Sequence, residues 1–282
     1  MTSSYINIFT FILTTVFYYM ALKPVLLYDD LIDIKKYEIY NKNNYLYLGI
    51  YLMLVMLVQF VVNASIISTT CGGSISENIG AAGFLTFIPW TLIFGVIIII
   101  LIIYPGFKSA FSDVIGYFYI SSSATKVITE LLINRDVEKK LTGNETKEER
   151  EALEDAADAI VKICGNTSIL INQIVPDNFL DYWKILKPLM KEKYKDDTSP
   201  ETSELRKQFF ELVVTRDTIG ESLWYVYTGI LITSIVQLKL TTRGCQSNTA
   251  TMEKNYSEFL KKEEEAKAKK AETDSTVYTI SS

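Results

Sequence analysis

The stretch FLTFIPWTLIFGVIIIILIIY, Phe84 to Tyr104, decides how this chain is read. It is rich in isoleucine and holds no charged side chain. At about 1.5 Å of rise per residue it is long enough, as a helix, to cross a hydrocarbon layer roughly 30 Å thick. The following Tyr104-Pro105-Gly106-Phe107 suits a turn with Pro at i+1 and Gly at i+2, which predicts that the helix ends at Pro105.

Three more stretches read the same way. No charge occurs from Met1 to Leu22, and Tyr5 to Leu22 is an apolar run closed by Lys23 and Pro24. The rival reading is a cleaved signal peptide, but the run lacks a basic start and a small-x-small cleavage site ahead of Lys23, so it is expected to remain in the mature protein. Tyr45 to Ile67 is the apolar part of the charge-free stretch from Asn43 to Ser76, and Tyr45, Tyr47 and Tyr51 open it where an interfacial aromatic belt lies. Ser222 to Leu238 is the weakest span, short and interrupted by Thr228, Thr233, Ser234 and Gln237; its rival is a buried helix of a soluble domain. The fold class expected is all-α, a multispanning membrane protein with four transmembrane helices. Residues 1–105 carry the first three, 106–221 a soluble helical domain, 222–238 the fourth, and 239–282 a charged, partly disordered tail.

Composition agrees. Of the 282 residues 49% are apolar, and the mean hydropathy is +0.17. The chain has no His, which removes Ser-His-Asp and Cys-His triads, His-ligated zinc and His proton relays. Twenty-eight basic against 33 acidic residues give a net charge of −5, the wrong sign for a nucleic-acid partner. Three cysteines without a CxxC pair make neither a disulfide scaffold nor a standard zinc site. No P-loop, GxGxxG, GxSxG or HExxH is present. The acidic residues Glu148, Glu149, Glu151, Glu154, Asp155 and Asp158 fall on the outer face of a predicted helix and lack the glycine of a calcium loop. No enzyme activity, cofactor, metal or small-molecule substrate is therefore expected. The predicted spans also lack the ionisable groups that mark an ion path, and Asn63 and Gln237 are assigned to interhelical hydrogen bonding.

Lysines orient the chain. The 23–44 connection carries Lys23, Lys35, Lys36 and Lys42, whereas 68–83 has no basic residue, so the first is placed on the cytoplasmic side with 106–221, and the N-terminus and tail opposite. The sequons at Asn144 and Asn166 then fall on the cytoplasmic side, and that at Asn63 within the membrane.

Within 106–221, Phe107, Phe111, Val114, Ile115 and Phe118 recur at helical spacing. They read either as an amphipathic helix along the bilayer surface, with Phe107, Phe111, Ile115 and Phe118 at the interface, or as a face packed into the domain. A capping box at Thr146–Glu149 opens a stripe from Leu153 to Cys164. Phe179, Tyr182, Trp183, Leu186, Leu189 and Met190 make a second stripe. Ser199 caps a third helix, with Leu205, Phe209, Leu212 and Val213 inward. The Lys/Glu/Ala run from Glu258 to Glu272 reads as solvated helix or disorder.

The stretch YPGFKSAFSDVIGY, Tyr104 to Tyr117, resembles the signature of a membrane protein family of the nucleocytoplasmic large DNA viruses, usually Phe-Pro-Gly-Trp followed by Phe-Ser-Asn and Gly-Tyr. Trp224, Thr228, Gly229 and Gly244-Cys245 sit where that family has its last hydrophobic segment and a cysteine. Phe107 replaces the usual Trp and Asp113 the usual Asn, and the likeness covers about a tenth of the chain. It implies a giant-virus structural protein in the virion's internal membrane, and in host internal membranes during assembly: a minor capsid protein whose partners are the bilayer and other capsid proteins. The alternative function is a channel or transporter.

In the four-span threading Cys71 and Cys245 emerge on one membrane face and Cys164 on the other. A Cys71–Cys245 disulfide, with Gly72, Gly73 and Gly244 easing the backbone, stands against two free thiols in a reducing compartment. The thiol oxidases of the resembled viruses favour the bridge.

Overall fold

A computed structural model describes residues 5–71, 74–132, 167–242 and 249–274. These are helical, with no strand and one isolated antiparallel bridge between Leu132 and Met190. Helix α1 is Ile6–Leu22, α2 is Ile34–Cys71 and α3 is Ile75–Ile103. After a 3-10 turn at Pro105–Lys108 and a π turn at Ser112–Gly116 come α4 (Tyr117–Leu131), α5 (Thr167–Gln173), α6 (Phe179–Leu186), α7 (Pro200–Thr242) and α8 (Thr249–Asp274).

Three of these helices, α2, α3 and α7, are long and apolar enough to cross a membrane, while α1 is apolar but shorter. The short member is thus the first helix and not the last. The stretch expected to be weakest, 222–238, is the C-terminal part of α7, a single helix of 43 residues. The boundary drawn at 221/222 falls inside that helix. No proline interrupts it after Pro200, and its interior glycines are packing sites rather than breaks. Pro200 opens it as expected, with the Ser199 hydroxyl accepting from the Thr202 amide at 3.5 Å. Helix α3 does end at Pro105: the Phe107 amide donates to the Tyr104 carbonyl at 2.9 Å, closing the predicted turn. Pro89 inside α3 removes one ladder donor, and a π turn follows at Trp90–Phe94.

Two apolar cores share α7. One joins α1, α2, α3 and the C-terminal half of α7 through Phe11, Tyr51, Trp90, Phe94, Tyr225 and Ile232. The other joins α4, α5, α6 and the N-terminal half of α7 through Ile128, Leu131, Ile171, Phe179, Trp183 and Phe210. The expected inward residues Phe209 and Val213 are buried there, and Leu205 and Leu212 pack against them. In the first core α1 runs antiparallel to α2 and α7, because Lys23 meets Glu221 at one end while Asn7 meets Asn63 and Gln237 at the other. Backbones close up where glycine stands. A Cβ on Gly229 would lie 2.0 Å from the Phe11 ring, and one on Gly220 would lie 2.7 Å from the Ser112 Cβ and 2.8 Å from the Lys108 carbonyl.

The segment after the turn is not one amphipathic helix but a 3-10, α, π and α succession. It climbs antiparallel to α7, with Phe107 beside Trp224, Ser112 against Gly220 and Gly116 against Arg216. From Trp224 to Arg216 is about 12 Å along a helix, so Phe107 and Phe118 stand at different heights along α7. The single amphipathic helix expected here is thus divided into short pieces that follow α7. The capping box at Thr146, the 153–164 stripe, the acidic cluster, the Asn144 and Asn166 sequons, Cys164 and Cys245 lie outside the described residues. The tail run is helical within α8, and Tyr256, Phe259 and Leu260 are exposed on it.

Candidate functional site

The charges that the spans lack are gathered where the two cores meet. Lys23 closes α1, Lys108 closes the turn after α3, and Asp217 and Glu221 stand one helical turn apart on α7. Lys23 pairs with Glu221, and Lys108 lies 2.7 Å from Asp217 and 3.7 Å from Glu221. The Tyr19 hydroxyl donates to Glu221 at 3.1 Å. Burial alone would lower the Lys108 ammonium, but the carboxylates of Asp217 and Glu221 outweigh it and hold its pKa above the ordinary lysine value. Two cations against two anions make the layer neutral, which is what allows it to be buried.

One residue before Asp217 on α7, Arg216 is buried and satisfies the end of α5. It donates to the Ile171 and Ile174 carbonyls and to the Asn172 side chain, and lies 3.6 Å from Asp113. Thus Lys108, Ser112, Asp113 and Gly116 of the quoted signature all face α7, at Asp217, Gly220 and Arg216. Trp224 also binds the signature, its indole donating to the Phe107 carbonyl at 2.8 Å.

A cavity of about 200 Å³ opens beside this layer. Lys23, Lys108, Asp217 and Glu221 form its inner wall, one face of α2 from Tyr37 to Leu48 forms another, and Asp177 stands in the 3-10 turn Pro176–Asn178 before α6.

At the opposite end of the bundle an amide network joins four helices. Asn7 donates to Asn63 at 3.1 Å and to Gln237 at 3.3 Å, Asn63 donates to Thr86 at 2.8 Å, and Gln59 donates to the Asn7 carbonyl at 3.1 Å. Asn63 and Gln237 do bond between helices as expected. Asn7 in the Tyr5–Leu22 run and Gln59 in the Tyr45–Ile67 run are the amides that complete the network, and their place in charge-free runs was the available signal.

Of the residues expected at a membrane interface, Phe107, Ile115 and Phe118 are exposed, Phe118 at 81%, so they are not domain core. Phe111 alone turns inward, edge-on to Trp224 at 5.2 Å. Cys71 is disulfide-bonded, and its partner lies outside the described residues. Among the described residues no cluster of acidic and cysteine side chains fits a metal. The ionic layer was missed because Asp217 and Glu221 precede the apolar run of 222–238 and were assigned to the domain. Their spacing of four on one helix, beside Gly220, was the available signal.

No family model, no curated protein and no solved structure matches this chain.

Proposed function

We propose that this is a structural protein of a virion's internal membrane, a minor capsid protein that holds or spaces an icosahedral shell against the bilayer. The observation that carries the anchoring part is α7, one helix that belongs to both cores and is fixed at their junction by the Lys23, Lys108, Asp217 and Glu221 layer. A rigid rod of this kind, on the order of 65 Å long, sets a distance between a membrane and whatever the outer core touches. The virion and the shell rest on the resemblance of residues 104–117. In this reading α1 is a fourth span, shortened because its end is held by the Lys23–Glu221 pair, and the outer core lies outside the bilayer. Phe107 and Phe111 then stand at the interface, with Phe118 farther out. Imaging of intact particles at side-chain detail tests the proposal, which expects α2, α3 and α7 within the internal bilayer and contacts from the outer core to shell proteins. Recovery of the chain from infected-cell membranes and never from purified particles overturns it.

One observation favours a second reading, a channel or transporter. Polar side chains follow the inner side of α1 from Asn7 through Thr14, Thr15, Tyr18 and Tyr19 to the buried Glu221. The file is blocked midway, where Phe11, Trp90 and Phe94 pack with ring centroids 5.2 to 6.1 Å apart, so the anchor is preferred. Selective ion flux into liposomes holding the purified protein would reverse that preference.

A further inference from the structure

We propose that the cavity beside the ionic layer binds a primary ammonium group, carried by a small free amine or by the ethanolamine headgroup of a lipid. The inference stands apart from the virion reading. It begins with charge. Both lysines of the wall are already held by carboxylates, Lys23 by Glu221 and Lys108 by Asp217 and Glu221, so an anionic ligand would have to displace an internal partner. Asp177 makes no ion pair among the described residues; it accepts only from the neutral Tyr37 hydroxyl, at 2.9 Å. Three carboxylates against two ammoniums leave one negative charge uncompensated around the cavity, and it is at the exposed position.

Hydrogen bonding points the same way. The Asn44 Oδ1 is buried and accepts from no described residue, and a buried acceptor left alone is costly. A phosphodiester has no proton to give it, whereas an ammonium has three. The rings of Tyr40, Tyr45 and Tyr225 line the same space, and aromatic rings attract a cation that reaches their faces. A volume of about 200 Å³ holds a headgroup-sized amine and little more. The position also suits a lipid source, because the cavity lies where α1 and α3 end.

The test uses the full-length protein. In detergent, calorimetric titration with ethylammonium is expected to saturate, while tetramethylammonium, which has no N–H, binds at least about tenfold more weakly. In nanodiscs of mixed phosphatidylethanolamine and phosphatidylcholine, native mass spectrometry reads which lipid stays bound. Retention of the ethanolamine lipid without ethylammonium binding identifies the lipid as source, and the reverse identifies a free amine. Asp177→Asn and Asn44→Leu should each weaken the observed binding at least about tenfold with the thermal unfolding temperature kept. The proposal is overturned if neither ligand binds, if tetramethylammonium binds as well as ethylammonium, or if both variants bind like the parent.

Discussion

Single residues decide how closely the helices of this protein approach. Gly116 and Gly220 face backbone, the Arg216 carbonyl at 2.7 Å and the Lys108 carbonyl at 2.8 Å from a built Cβ, and backbone in packed helices does not step aside. Gly116→Ala and Gly220→Ala are therefore expected to destabilise by about 1–3 kcal/mol each. Gly49 and Gly80 have nothing within 4 Å of a Cβ, so alanine there should be neutral or stabilising by up to about 1 kcal/mol through helix propensity. Thermal unfolding in detergent separates the two pairs, and equal effects would refute the close-approach argument. Glu221 is the other decisive residue. Glu221→Leu strands the largely buried Lys23 ammonium and should cost up to about 3–5 kcal/mol, whereas adding Lys23→Met should recover most of it, because the pair replaced together leaves no lone charge. A double variant no better than the single one would show that the pair is not coupled.

Elements are joined by polar clamps as well as by apolar stripes. The end of α4 is tied to the turn before α7 by Glu130, which accepts from Lys193 at 2.7 Å and from the Tyr194 hydroxyl at 2.6 Å, beside a Lys191 amide bond to the Leu131 carbonyl. These donors lower the Glu130 carboxyl to about 2 from an ordinary 4.5. A depressed carboxylate stabilises above its unfolded value, so the clamp is whole above about pH 4.5 and is lost as pH falls toward 2. The protection of the Lys191 amide, its hydrogen exchange taken relative to the intrinsic rate at each pH, should fall across that window, and Glu130→Gln should show the lower protection already at pH 6. Asp197 is lowered for the same kind of reason, by the Lys187 ammonium beside it against the effect of burial, and adds to acid sensitivity in the same direction. The rise of 105–131 along α7 carries its own prediction. Nitroxide labels at Phe107 and Phe118 should differ in membrane depth by roughly 15 Å along the helix axis. Equal depths would restore a segment lying flat.

At the scale of the whole molecule the disulfide reports the threading. Cys71 ends α2, a helix about 57 Å long, at the pole away from Lys23. Cys164 stands three residues before Thr167, and Leu170 and Ile171 of that helix are buried in the core shared by α4, α5, α6 and the start of α7, whereas Cys245 stands three residues after Thr242 at the end of α7. Three residues of chain span at most about 11 Å, so Cys245 is the expected partner. Peptide mapping under non-reducing conditions should recover Cys71 joined to Cys245 and Cys164 as free thiol; a Cys71–Cys164 peptide would refute the arrangement of the two poles.

Charge-free runs of helical length were enough, by themselves, to make this chain helical and membrane-seeking, because burying that many apolar side chains in hydrocarbon requires a backbone that satisfies its own hydrogen bonds. The turn at Tyr104–Phe107 was equally legible, since Pro and Gly restrict backbone angles locally. Residue spacing also placed Phe179, Trp183, Phe209 and Val213 on inward faces. What tertiary structure decided is everything that depends on approach between distant segments. Whether Phe111 faces lipid or Trp224, whether 200–242 is one helix or two, and which side chains meet Asp217 and Glu221 are all set by where α7 lies against residues a hundred positions earlier. A local pattern carries no information on that distance. The ionic layer is the clearest instance: in sequence Lys23 ends an apolar run and Glu221 belongs to the 106–221 segment, and only their convergence with Lys108 and Asp217 between two cores makes a largely buried, mutually neutralised set.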